Sequence, residues 1–205
     1  VKVVNLSDND LGTSGVELFD GQRIDGFSGW WNSEWFGSFY TEYYPWVYHK
    51  PMGWIYVSSD ELLGTWLYRK NLGWVWTMKD VYPALYMDKR KGWTFLDVNR
   101  NSTTLYDYSE LTWFELDTPL EVSVRITPVG AGNITGNGHY YRWEEVKLQV
   151  SPINGYNFGG WSGDINGFEE EHVFEATKNL SIDASFIPIV SSKVSVREAL
   201  ESAIS

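Results

Sequence analysis

FGSFYTEYYPWVYHKPMGWIYV, starting at Phe36, and LGWVWTMKDVYPALYMDKRKGWTFL, starting at Leu72, are two versions of one text. Each runs from an apolar residue and Gly through aromatics to Thr (Thr41, Thr77). Each then reaches Tyr-Pro-x-x-Tyr (Tyr44 to Tyr48, Tyr82 to Tyr86) and ends on Gly-Trp-x-aromatic (Gly53 to Tyr56, Gly92 to Phe95). A second pair follows the same spacing: TWLYRKNLGWV from Thr65 is echoed by TTLYDYSELTWF from Thr103, again about 38 residues on. Ten of the twelve tryptophans lie in this region, between Trp30 and Trp113. A period of this length marks an architecture built by stacking one supersecondary unit. Such architectures supply scaffolds and binding surfaces more often than a single catalytic cleft.

Within the repeat, residues alternate in character. Trp54-Ile55-Tyr56-Val57, Thr65-Trp66-Leu67-Tyr68, Gly73-Trp74-Val75-Trp76-Thr77 and Trp93-Thr94-Phe95-Leu96 place large aromatics on one side and aliphatic or small polar groups on the other. Period two means strands. Ser58-Ser59-Asp60, Arg69-Lys70-Asn71 and Asp88 to Lys91 separate them as hairpin turns, short enough to make neighbours antiparallel. Pro45 and Pro83 have no N–H for a ladder, so each marks a strand edge or corner. The expectation is an antiparallel aromatic meander of roughly seven strands.

The texture changes at Asp117-Thr118-Pro119. Beyond it tryptophans are sparse and the strands conventional: Val122, Val124 and Ile126 alternate with polar residues, as do Val146, Leu148 and Val150, and Ile182, Ala184 and Phe186. This is the pattern of a sheet packed on one side. Near the end, Ser195-Val196-Arg197-Glu198 has capping-box spacing, and Val196, Ala199, Leu200 and Ala203 share a helical face. The organisation expected is a lead-in over 1–29, where Val1 to Leu6 reads as a strand, then an aromatic repeat domain over 30–117. A second small β domain follows over 118–188, with a linker and short helix over 189–205. The chain is all-β apart from that helix.

Charge and composition narrow the function. The formal net charge is −11, shared by both halves, with 16 acids against 10 bases up to residue 117. No basic patch is present to track phosphates, so nucleic acid is not the expected partner. With no cysteine there are no disulfides, thiolate metal sites or thiol nucleophiles. No apolar run approaches the ~18 residues of a membrane-spanning helix. Opening on Val1 without a signal peptide, the chain reads as a piece of a larger polypeptide.

Residues 124–187 resemble the divergent internalin-type B-repeat of bacterial surface proteins. Ile126-Thr127-Pro128, the run Gly130 to Tyr140, Val146 to Pro152 and Ile182 to Phe186 all fit. So does Gly155-Tyr156-Asn157-Phe158-Gly159-Gly160-Trp161-Ser162-Gly163-Asp164, the most specific stretch. Trp143-Glu144 departs from the family, which has a Gly turn there. The resemblance implies a small β-grasp-like module, secreted or at the cell surface, with no common catalytic activity. Trp161 is then the expected core anchor, packed with Tyr156, Phe158 and Phe186. Residues 30–116 are similar to an uncharacterised Trp-rich repeat of large extracellular bacterial proteins. More distantly their hairpins resemble choline-binding and glucan-binding cell-wall repeats, whose period is about half as long.

Catalytic and metal chemistry find little support. His49, His139 and His172 fall in unrelated contexts, and no nucleophile elbow, phosphate loop or dinucleotide fingerprint occurs. Glu34, Glu42, Asp60, Glu61 and Asp80 lie among aromatics, yet nothing singles out two of them as a glycosidase pair. Asp8-Asn9-Asp10 lacks the downstream glutamate of a calcium loop, and Glu169-Glu170-Glu171-His172 reads as a solvated acidic face. No enzyme, metal or cofactor is expected. Two readings of the aromatics remain. As packing, Trp54, Trp66, Trp74 and Trp93 form the core of the meander, which is the expectation for the Gly-Trp positions. As a binding surface, Trp30, Trp31, Trp35 and Trp46, which alternate poorly, line a groove for stacking on a ligand. The function expected is a non-enzymatic spacer or adhesion module of a bacterial secreted or surface protein. The alternative is a carbohydrate-binding module. The partners expected are a neutral glycan or a surface protein.

Overall fold

The computed structural model describes residues 15–59 and 64–190. The readings of Val1 to Gly12, of Asp60 and Glu61 and of the C-terminal helix lie outside the described residues. The chain divides into two compact units, residues 1–118 and 119–205.

In the first unit a single helical turn, α1 (Gly15–Leu18), precedes one sheet whose strands are paired in chain order. They are β1 (Gln22–Arg23), β2 (Trp30–Ser33), β3 (Gly37–Tyr43), β4 (Trp46–His49), β5 (Gly53–Ser59) and β6 (Thr65–Arg69). The meander continues with β7 (Gly73–Thr77), β8 (Ala84–Met87), β9 (Gly92–Leu96), β10 (Thr104–Asp107) and β11 (Thr112–Glu115). Every pairing is antiparallel. Eleven strands stand among the described residues where seven were expected. The extra strands are short ones such as Trp30–Ser33 and Trp46–His49, whose neighbouring aromatics hide the alternation.

The 38-residue period holds two hairpins. Ser33 to Gly37, His49 to Gly53 and Arg69 to Gly73 each close a turn of the same length, and Gly37, Gly53 and Gly73 all have positive φ. Met87 to Gly92 and Asp107 to Thr112 close turns one residue longer, with Lys91 and Leu111 in the left-handed region. That extra residue explains why the copies are 38 apart before the turn (Tyr48 and Tyr86) and 39 apart after it (Trp54 and Trp93). Pro45 and Pro83 occupy corners, both after cis bonds. Their carbonyls accept the N–H groups of Val57 and Leu96 at 2.9 and 3.0 Å.

The inward positions carry Phe39, Val47, Ile55, Leu67, Val75, Leu85, Leu96 and Leu105, all without exposed surface. One sheet can hide a face so completely only by rolling over it. Contacts between distant turns show the roll: the Thr103 hydroxyl donates to Pro51 O at 2.9 Å, Arg69 donates to Met52 O, and Arg69 and Asp117 form a two-pronged ion pair at 2.6 and 3.0 Å. Among the described residues no ladder joins β1 to β11, and the roll they form is open. At its start Phe19 stacks on Phe36 at 3.9 Å, and Trp35 and Phe36 meet Tyr82.

His49 is the one imidazole on this buried face. Its Nε2 lies 2.8 Å from Phe36 O, and its ring is stacked 4.1 Å from the Phe36 ring. Burial lowers its pKa to about 4, with the Phe36 hydrogen bond opposing weakly. Its counterpart in the second copy is Met87, also buried.

The second unit packs two sheets over one core. One has the order β14 (Gly138–Tyr140), β12 (Leu120–Thr127), β18 (Leu180–Pro188), β16 (Tyr156–Gly163). The other is β13 (Gly132–Thr135), β15 (Glu145–Pro152), β17 (Glu171–Glu175). The parallel pairing of β12 with β18, first strand beside last at the centre of a mixed sheet, is the β-grasp-like feature. Trp161 is buried against Phe158 at 5.1 Å and donates its indole N–H to Glu169 O at 2.9 Å; Phe158 in turn meets Phe186. The motif around it has local causes. The register shifts between Phe158 and Gly160, and Gly163 turns with φ 97° where a Cβ would lie 2.6 Å from Ser181 O. Asp164 then accepts the Ser181 N–H at 2.8 Å and pairs with Lys178, which together hold its carboxyl below the usual range.

Trp143, the departure from the family text, occupies the left-handed region itself, at φ 68°. It is buried, and its N–H donates to Ala176 O at 2.7 Å. A tryptophan thus keeps the backbone shape of the glycine turn and adds a ring to the core.

Two predictions follow from these residues. Unfolded, His49 titrates near ~6.5, so between that value and about 4 the unfolded chain binds the extra proton. Stability is therefore lost as pH falls through that window, by on the order of 3 kcal/mol. In His49→Met the denaturant-measured stability should decline less between pH 7 and 4 by about that amount. For Trp143 the usual ranking of residues reverses. Trp143→Gly, free of the positive-φ penalty, should be more stable than Trp143→Ala by about 1 kcal/mol in chemical denaturation, although both lose the ring.

Candidate aromatic binding surface

Because inward positions take the aliphatics, every other residue of the meander points outward, and most of these are aromatic. Their register sorts them into four rows running across the strands. The first is Trp30, Tyr40, Tyr48 and Trp54 on β2 to β5. The second is Tyr43, Trp46, Tyr56, Tyr68 and Trp74 on β3 to β7. The third, Ser58, Trp66, Trp76, Tyr86 and Trp93, spans β5 to β9, and the fourth, Ala84, Phe95, Tyr106 and Trp113, spans β8 to β11. Each row ends on the tryptophan that follows a hairpin turn. A four-strand row spans three strand gaps, roughly 14 Å.

Neighbouring rings meet mainly edge to face: Tyr48 with Trp54 at 5.6 Å and 77°, Trp46 with Tyr56 at 5.5 Å and 80°, Tyr86 with Trp93 at 5.5 Å and 67°. This geometry matches positive ring edges to negative faces. It holds the outer layer together while leaving ring faces to solvent. Trp46, Trp54, Trp74, Trp93 and Trp113 are between 39% and 50% exposed. The expectation that the Gly-Trp tryptophans form the core is therefore overturned. Trp54, Trp74 and Trp93 are exposed, and Trp66 is only partly buried. An indole N–H needs a partner when buried, whereas the aliphatic side chains of the inner face need none.

The first row lies in an open groove of about 830 Å³ lined by Ile24, Phe27, Trp30, Ser38, Tyr40, Tyr48, Lys50 and Trp54. The β1–β2 connection, carrying Ile24 and Phe27, gives this row a wall. The Tyr40 hydroxyl donates to Glu42 at 2.7 Å, and that acceptor pushes its pKa up to about 12. Ser28 holds the other oxygen of Glu42 at 3.2 Å.

The four tryptophans singled out from sequence separate here. Trp30 lines the groove, and Trp46 is exposed in the second row. Trp31 pairs with buried Phe39 and shares its inward side. Trp35 packs among Phe19, Phe36 and Tyr82 at 5.4 to 5.7 Å. Sequence reasoning missed Tyr40, Tyr48, Trp54, Trp74, Trp93 and Trp113 as surface residues. A signal was available: Lys-x-x-Gly-Trp occurs three times, at Lys50, Lys70 and Lys89. Among the described residues, no group of three or more His, Asp or Glu side chains is placed to hold a metal, and no helix is long and apolar enough to cross a membrane.

Comparison with known proteins bears on the second unit. Residues 122–190 match the divergent InlB B-repeat domain, a bacterial repeat family that is typical of surface proteins and generally non-enzymatic. No curated protein and no solved structure matches the chain.

The two faces of the meander should respond differently to truncation. Leu67→Ala, on the buried side, should cost about 2–5 kcal/mol in denaturant titration. Trp93→Ala, on the outer side, should cost about 1 kcal/mol and leave the cooperativity of unfolding unchanged.

Proposed function

We propose that this chain is a non-enzymatic adhesion module of a bacterial secreted or surface protein, with the outer aromatic face of its first unit as the contact surface for a glycan. The observation that carries the reading is the set of five half-exposed tryptophans, held in ordered rows on one face of a sheet whose core is complete without them. An apolar surface of this extent is a liability on a protein that binds nothing. Aromatic ring faces stack on the C–H faces of pyranose rings, and the tyrosine hydroxyls between them supply hydrogen bonds to sugar hydroxyls. Among the described residues the groove lining holds no carboxylate, which argues for binding over glycoside hydrolysis. The second unit, similar to a surface repeat, serves as spacer.

Of the four tryptophans expected to touch a glycan, Trp30 and Trp46 remain in this proposal, and the Gly-Trp residues replace Trp31 and Trp35. A polysaccharide array followed by intrinsic-fluorescence titration tests the reading. Trp54→Ala should weaken binding about tenfold, the effect of losing one stacking anchor, while Phe168→Ala in the second unit leaves it unchanged. A chain that binds no glycan on the array, or binds through its second unit, does not have this function.

A further inference from the structure

From Lys50 we infer that the glycan taken by the first aromatic row is an acidic one, its sugars carrying carboxylates. The inference rests on the glycan reading above and goes further by assigning the ligand a charge, in contrast to the neutral sugar expected from overall composition.

Three observations lead there. Among the described residues Lys50 is the only charged one lining the groove, where it stands beside Ser38, next to the row in register. It is exposed, and among the described residues no ion pair or side-chain hydrogen bond engages its ammonium. Glu42, two residues along β3 from Tyr40, accepts hydrogen bonds from Tyr40 and Ser28 and does not line the groove. The second observation is the recurrence of the arrangement. Lys70 stands before Gly73-Trp74 in a turn of the same length as the one carrying Lys50, and Lys89 precedes Gly92-Trp93 in the longer turn. The third is distribution. Up to residue 117 the chain carries 16 acids and 10 bases, yet five of those bases (Lys50, Lys70, Lys89, Arg90 and Lys91) sit in three of the four turns that lead into row-ending tryptophans, the fourth, before Trp113, carrying Glu110 instead. In a chain of net charge −11 this is a local reversal of sign beside the aromatic rows.

The physical consequence is a site with two parts. Stacking along Trp30, Tyr40, Tyr48 and Trp54 is indifferent to charge and holds the sugar rings. The Lys50 ammonium beside the row then separates ligands by charge. A carboxylate there gains a charge-assisted contact, whereas the surrounding acidic surface repels it at longer range. The gain is that of an exposed pair and is modest, about two- to fivefold in affinity, and salt erodes it.

The test compares uronic-acid oligosaccharides (galacturonate, mannuronate and glucuronate series) with their methyl esters, which keep the ring and linkage and cancel the charge. Binding to the full chain is followed by tryptophan fluorescence and calorimetry at low and moderate salt. The acid form of the series that binds should be preferred about two- to fivefold over its ester, and the preference should shrink as salt rises. In K50M the acid should fall to the affinity of the ester, while K178M in the second unit keeps the preference. Equal binding of acid and ester, or a preference that survives K50M, overturns the inference and leaves the glycan reading standing. Silence towards acids, esters and every neutral polysaccharide overturns both.

Discussion

The contact on which the first unit depends is the closure of one face of its sheet upon itself. Phe39, Val47, Ile55, Leu67, Val75, Leu85, Leu96 and Leu105 contribute one inward side chain from each of β3 to β10, and all are fully buried. Each aliphatic or aromatic group buried in this way supplies about 1.5–3 kcal/mol against the entropy of ordering the chain. Among the described residues no second sheet covers this layer, and the roll brings distant turns together. Arg69 does so with a single guanidinium that binds Met52 O and Asp117. Buried threonines fill further inward positions, and Thr77, Thr94 and Thr103 each donate to a backbone carbonyl, so these hydroxyls need no water.

Once the inner face is committed, the outer face follows from period two. The residues between the buried aliphatics must point away from the core, and in this chain they are tryptophan and tyrosine. They remain ordered because cross-strand aromatic pairs at edge-to-face angles stabilise the sheet by roughly 0.2–1 kcal/mol each. An outer layer that is stable without being buried is what a stacking surface requires. The second unit distributes its aromatics the other way. Trp161 and Phe186 lie in the core between two sheets, and Trp161 also satisfies its N–H against Glu169 O.

Hairpin turns connect the two roles of the first unit. The same turn that reverses the chain through Gly53 or Gly73 sets the tryptophan after it at the end of a row. Where the turn gains a residue, as before Trp93 and Trp113, a lysine or leucine takes the left-handed position and the row still ends on tryptophan. The arrangement of rings on this face is therefore insulated from turn length, because the register of the ladder positions them.

Much of this was determined by local sequence. Alternation placed aromatics and aliphatics on opposite faces, the repeat announced stacked hairpins, and Gly155 to Asp164 carries enough backbone constraint to be recognised without tertiary information. The adjacency of Trp30 and Trp31 also bore on the site, since neighbours on a strand face opposite ways and only one of them can line a groove. Period two leaves open which of two apolar faces turns inward, and here the larger rings turn out. That choice was made by the roll of the whole sheet, whose interior along the strands takes Val, Ile, Leu and Phe39 and admits indoles at its start, at Trp31 and Trp35. The fate of single residues was likewise set from a distance. Trp143 holds a glycine's backbone conformation because Ala176 O receives its N–H, and His49 is a neutral core residue because Phe36 lies across its ring. Both depend on groups far along the chain, which only the tertiary fold brings into contact.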